Sequence, residues 1–89
     1  MSKFILDMSL CENLKYYRKL KGYTQMDVVR EANLYGSTMS ESTYSKIEQG
    51  NRNIFISDFI ILKLVLGFTY DELFQNLENI ITLQVEKHE

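Results

Sequence analysis

A chain of 89 residues with 45% apolar content has room for one domain with a modest core and is too apolar to be disordered throughout. The net charge of −2 argues against a uniformly basic polyanion binder, and the single cysteine, Cys11, excludes an internal disulfide and fits a reducing cytoplasm. No apolar run reaches the roughly 18 residues a membrane helix needs, and residues 1–10, interrupted by Asp7, do not read as a signal peptide.

In chain order, residues 3–7 are apolar and β-branched enough to predict a short strand. A first helix is expected over 10–21, opened by a capping box from Ser9 to Glu12, with Leu10, Leu14 and Tyr17 on its buried face. Cys11 reads as a small residue in its first turn. A second helix is expected over 25–32, with Thr24 and Asp27 as a looser capping box and Val28, Val29 and Ala32 inward. A third, over 41–49, begins after Ser40 as N-cap and buries Tyr44 and Ile47. A fourth, over 58–66, starts after Ser57. A fifth starts near Tyr70 behind the box Thr69 to Glu72, with Leu73, Phe74 and Leu77 inward. There is no proline, so glycines punctuate the chain, and three of the four stand where a helix should stop. Segment 80–86 alternates and is read as a second terminal strand, with continuation of the fifth helix as the alternative.

The fourth helix leaves only Lys63 polar in its middle. Apolar residues all round require a second cover, expected to be another subunit seated on Ile61 and Leu64, unless these are scattered surface apolars. Ile81, Leu83 and Val85 would join that interface. The expected organisation is one domain, with a helical core over 10–74 and terminal segments 1–9 and 75–89 serving a homodimer.

Charge is distributed unevenly. Residues 14–53 carry seven Lys or Arg against four Asp or Glu, whereas residues 54–89 carry two against six. A local cationic zone matters more to a nucleic acid than the total does.

The stretch 14–74 resembles the Cro/cI-type, or XRE-type, helix-turn-helix family of bacterial and phage repressors. The resemblance rests on Arg18, Gly22, Thr24-Gln25, Ser40, the run Ser45-Lys46-Ile47-Glu48-Gln49-Gly50-Asn51-Arg52, Leu66-Gly67-Phe68, and Asp71-Glu72-Leu73-Phe74. It covers about two-thirds of the chain. It implies an all-α, five-helix, lambda-repressor-like fold, with short terminal strands added here. It also implies a small regulator, of the repressor kind, that binds double-stranded DNA sequence-specifically as a homodimer. The connection over 33–39 is longer than the family's usual tight turn, as in a subset with a glycine inside an enlarged turn. Tyr35 and Ser37 would then approach the sugar-phosphate backbone, or the insertion is merely a tolerated surface loop.

In the docking mode this implies, the third helix enters the major groove. Helical spacing puts Ser42, Ser45, Lys46 and Gln49 on one face, with Glu41 at its N-terminal edge and Thr43 in the same helix. Hydroxyls pair with several base edges, and Lys46 can donate to guanine or to phosphate. Glu41 either accepts from a cytosine amino group or serves as a helix-start charge. By resemblance, Gln25 clamps the backbone and steadies the recognition helix, Asn51, Arg52 and Asn53 grip phosphates, and Arg18 and Glu48 form a buried ion pair.

Catalysis, a metal site and a cofactor are not expected: the sole histidine, His88, lies in the tail, and no nucleophile has a neighbouring base. The competing readings are a protein-interaction module such as an antitoxin, with a regulatory protein partner, and a restriction-modification controller protein.

Overall fold

In the computed structural model, backbone is described for residues 3–4 and 8–87, and side chains for residues 10–82. Among these, five helices and one two-stranded ladder are present: β1 (Lys3–Phe4), α1 (Met8–Leu20), α2 (Gln25–Leu34), α3 (Glu41–Glu48), β2 (Ile54–Phe55), α4 (Ile56–Leu66) and α5 (Tyr70–Lys87). The fold is all-α with a helix-turn-helix formed by α2 and α3.

The local signals explain most helix ends. Thr24 and Asp27 form a full capping box, closer to ideal than the spacing implied: Thr24 Oγ1 accepts from Asp27 N–H at 3.1 Å, and Asp27 Oδ2 accepts from Thr24 N–H at 2.9 Å. Ser40 Oγ accepts from Thr43 N–H at 3.1 Å and starts α3. Thr69 Oγ1 likewise accepts from Glu72 N–H. Gly67 ends α4 at φ +77°, a left-handed conformation that a residue with a Cβ adopts only at a cost.

Two expected helix starts and one expected strand are corrected. Helix α1 opens at Met8, so Ser9 lies inside it rather than capping it. Helix α4 opens at Ile56, so Ser57 is its second residue; the N-cap is Phe55, which makes no side-chain cap bond. Here burial of Ile54 and its strand pairing set the start instead of a hydroxyl. Segment 80–86 is helical, not a strand: α5 runs on through it to Lys87. Nothing in 70–87 breaks a helix, and Leu73, Leu77 and Ile80 keep one face toward the rest of the molecule, which outweighs the local alternation.

The core lies among the helices, with α2 packed on α4 and α3, and α1 packed on α3, α5 and α4. Leu14, Val28, Ala32, Tyr44, Ile47 and Leu62 are wholly or almost wholly buried. Each large side chain removed from water stabilises the fold by about 1.5–3 kcal/mol. Phe68, after α4, fills the lower end, edge-on to Tyr17 with ring centroids 4.9 Å apart and to Phe59 at 6.2 Å. Asn76 of α5 donates to Tyr17 Oη at 3.0 Å, tying α5 to α1.

The strand expected over 3–7 is present at Lys3–Phe4, and residues 5–7 fall outside the described residues. Its partner belongs to the same chain. β1 pairs antiparallel with β2, Lys3 opposite Phe55 and Phe4 opposite Ile54.

Candidate nucleic-acid interface

Helix α3 divides cleanly. Tyr44, Ile47 and Glu48 are buried, whereas Glu41, Ser42, Lys46 and Gln49 are exposed and Ser45 half-buried. At 100° per residue the last five fall on one arc, and a hydrophobic and ionic back holds that arc outward. Thr43 is placed differently from its neighbours. It sits at the flank, half-buried, and accepts from Ser40 Oγ at 3.0 Å. Gln49 Nε2 reaches Ser45 Oγ at 3.4 Å, and Asn51 Nδ2 reaches Gln49 Oε1 at 3.4 Å. These long bonds pre-order amides along the outer face without burying them.

The back of α3 is fixed by charge as well as by packing. Arg18 of α1 donates through Nε to Glu48 Oε2 at 2.6 Å and through Nη2 to Oε1 at 3.1 Å, a bidentate pair. Its Nη1 donates to the Tyr23 carbonyl at 2.9 Å. The side chains of Arg18 and Glu48 are only 11% and 3% exposed. Burial works against the charged form of Glu48, but the hydrogen bonds around it, led by Arg18, outweigh burial and hold the carboxyl below its ordinary range. Tyr44 Oη lies in the same buried region without a hydrogen bond of standard geometry, and burial, then the nearby Glu48, push the phenol far above its ordinary range.

Gln25 belongs to this network. Its Nε2 donates to Glu48 Oε1 at 3.1 Å, so α1, α2 and α3 converge on one carboxylate. Half-buried at the first position of α2, Gln25 thus fixes α3 against α2, and the backbone N–H groups of Gln25 and Met26 are what the helix mouth offers outward. The resemblance gives Gln25 both a backbone clamp and the steadying of the recognition helix; its partner Glu48, 23 residues away, cannot be read from spacing.

The enlarged turn is ordered by its own bonds. Ser37 N–H donates to Ala32 O at 3.1 Å, and Ser37 Oγ accepts from Met39 N–H at 3.1 Å. Ser37 is buried, and so is Met39, which plugs the turn into the core. Ser37 is therefore spent inside the loop and does not face a backbone as expected; Asn33, Leu34, Tyr35, Gly36 and Thr38 are the exposed residues there.

After α3, Asn51 N–H donates to Lys46 O at 2.9 Å and Gly50 N–H to Ile47 O at 3.1 Å, closing the helix in a left-handed turn. Asn51, Arg52 and Asn53 follow, all exposed. Arg52 borders a cleft of about 310 Å³ with Thr38, Thr43, Asn53, Phe55 and Asp58.

On α4 the outward residues are Ile56, Ile60 and Leu64, with Ile61 half-buried at the rim and packed on the core. Leu64 is 47% exposed and Ile60 43%. Helical spacing from 56 by fours makes Ile60 the centre of the stripe, a residue the sequence reading passed over in favour of Ile61. Ile81 is exposed on α5; the side chains of Leu83 and Val85 lie outside the described residues.

Among the described residues, no cluster of His, Cys, Asp and Glu is arranged to hold a metal ion, and no helix is long and apolar enough to cross a membrane.

These features define a helix-turn-helix protein by fold. Two solved structures share it, both single-residue variants of the restriction-modification controller protein C.Esp1396I. They superpose with TM-scores of 0.70 and 0.71 at 24% identity, covering 83% and 91% of this chain and 92% and 96% of theirs. At that identity the likeness establishes the shared fold. No family model and no curated protein matches the chain.

Proposed function

We propose that this protein is a small transcriptional regulator, of the repressor kind, that binds double-stranded DNA sequence-specifically through the outer face of α3. One observation carries the reading: Glu41, Ser42, Ser45, Lys46 and Gln49 form an exposed polar arc, held rigidly outward by the buried Tyr44, Ile47 and Glu48. Side chains of this kind complement base edges in the major groove. Ser42 and Gln49 sit near its centre and Lys46 at one edge, as hydroxyl, amide and cationic readers. Glu41 either accepts from a cytosine amino group or stabilises the helix start. Asn51 and Arg52 would hold the phosphate strand and set affinity without sequence information. Gln25 acts here as a support for α3, with the start of α2 against the backbone. Tyr35 is the turn residue exposed toward a duplex.

The unit that binds is a homodimer. One recognition helix spans a few base pairs, and the apolar stripe on α4 is left exposed among the described residues. Two copies joined there would read half-sites about 34–36 Å apart along a near-palindrome. A second reading is favoured by the shared fold: a restriction-modification controller protein, as C.Esp1396I is named.

Selection of bound sequences from a random duplex library tests the proposal. Recovery of a near-palindromic consensus whose bases change when Ser42 or Glu41 is replaced supports it. The absence of any shift on duplex DNA at low salt would refute it in favour of a protein-interaction module.

A further inference from the structure

We propose that the N-terminal strand β1 is a clip that positions the phosphate-gripping segment after the recognition helix, resting on the DNA-binding reading above. Residues 51–53 are exposed and would carry the backbone contacts. Their upstream end is fixed by the bonds of Gly50 and Asn51 to the last turn of α3. Their downstream end is fixed by Ile54, 2% exposed, and by the antiparallel pairing of Lys3–Phe4 with Ile54–Phe55.

A two-residue ladder adds little stability of its own. What it does is local: β1 contacts β2 and α4 and nothing else to a similar extent. It restrains the two residues that come directly after Asn53. α4 starts at Ile56 and its N-cap, Phe55, makes no side-chain cap bond, so the entry of the chain into that helix calls for a restraint of another kind. The strand pairing supplies that restraint. A cation such as Arg52 loses affinity for a phosphate if its backbone is free to wander, because ordering it then has to be done on binding. The clip does that ordering in the free protein.

The test replaces Lys3 and Phe4 together by proline, which leaves β1 no N–H to donate to the ladder while keeping the chain length. A chain lacking residues 1–6 is the second variant. Binding is measured to the selected site and to a random duplex over a series of salt concentrations, with and without Arg52→Ala. The expected result for both variants is a thermal midpoint within a few degrees of the parent and affinity reduced about tenfold on both duplexes, the worth of one charged hydrogen bond. The salt slope becomes shallower by about one unit, and the preferred sequence is unchanged. Arg52→Ala then costs much less in the clip variants than in the parent, since both changes remove the same contact. Unchanged affinity after loss of the strand overturns the clip while leaving the DNA-binding reading intact. So does an Arg52→Ala loss of equal size in both backgrounds, and so does unfolding of both variants, which would make β1 a general structural element. A parent chain that binds no duplex at all overturns both readings together.

Discussion

Replacing Glu48 by alanine should destabilise the fold far more than its place on a DNA-facing helix suggests. The carboxylate is 3% exposed and takes bonds from Arg18 Nε at 2.6 Å, Arg18 Nη2 at 3.1 Å and Gln25 Nε2 at 3.1 Å. Truncation leaves the Arg18 guanidinium buried with only the Tyr23 carbonyl as acceptor. Stranding one member of a buried pair costs about 3–5 kcal/mol. For a domain of this size, each kcal/mol moves the thermal midpoint by about 4–8 °C, so a fall of at least about 12 °C is expected. Urea unfolding at pH 7 measures it, with Glu78→Ala, on the exposed side of α5, as the control. A double variant, Arg18→Met with Glu48→Leu, should recover much of the loss, because it removes the stranded charge as well as its partner. The pH profile provides a second reading. The folded carboxyl of Glu48 lies below its unfolded value, so its contribution is fully present above roughly pH 4.3 and is lost as pH falls through the folded value. Asp27, lowered by its bonds to Thr24, contributes in the same direction, so the diagnostic quantity is the part of the acid limb that disappears in Glu48→Gln. A Glu48→Ala loss no larger than that of Glu78→Ala, with an unchanged acid limb, would refute the argument.

Arg52→Ala should weaken binding to all duplexes by a similar factor and lower the salt slope by about one unit, measured by fluorescence anisotropy over a salt series; a change confined to sequence preference would reverse the division between backbone and base contacts. Ser42→Ala or Glu41→Gln should instead change discrimination at one base pair by about 1–3 kcal/mol, read from binding to single-base variants of the selected site. If Glu41→Gln changes only thermal stability, Glu41 is a helix-start charge. Ile60→Lys with Leu64→Lys should convert a dimer to a folded monomer by analytical ultracentrifugation; dimerisation that survives both changes would move the interface off α4, and a parent chain that is monomeric at micromolar concentration would remove the dimer altogether.

How much of this was legible depended on the range of the interaction involved. Capping boxes and glycine stops act over three or four residues, so Thr24, Ser40 and Gly67 located their helix ends directly. Ser57 misled because a hydroxyl near a helix start is a frequent cap, but here the chain is placed by the long-range pairing of residues 54–55 with 3–4. Alternation misled at 80–86, where the pattern suits either a strand or a helix and the decision came from uninterrupted continuation of α5. The outward arc of α3 follows from helical spacing alone. The Arg18–Glu48 pair came from resemblance, and no feature of the sequence placed Gln25 on the same carboxylate. Ser37 looked like a free hydroxyl because nothing local shows that an enlarged turn will fold back on itself.

The chain's net negative charge becomes less of an obstacle once its cations are sorted by what they hold. Arg18 and Glu48 cancel each other inside the fold. Lys21 donates to the Val65 carbonyl at 2.8 Å, closing the end of α4, so its charge serves that helix. Lys46 and Arg52 are the exposed cations on and directly behind the recognition helix. Two such charges per copy give weak attraction to a polyanion, and weak attraction is compatible with regulation only if several are brought to bear at once. The chain's layout does this in one continuous run. Residues 51–53 would hold the phosphates, residues 54–55 are clipped by β1, and residues 56–64 carry the apolar stripe of α4. A second copy seated on that stripe would fix the distance between two recognition helices through a few rigid residues. Affinity for a full operator would then rise as the product of two weak contacts, while a lone half-site would hold the protein poorly.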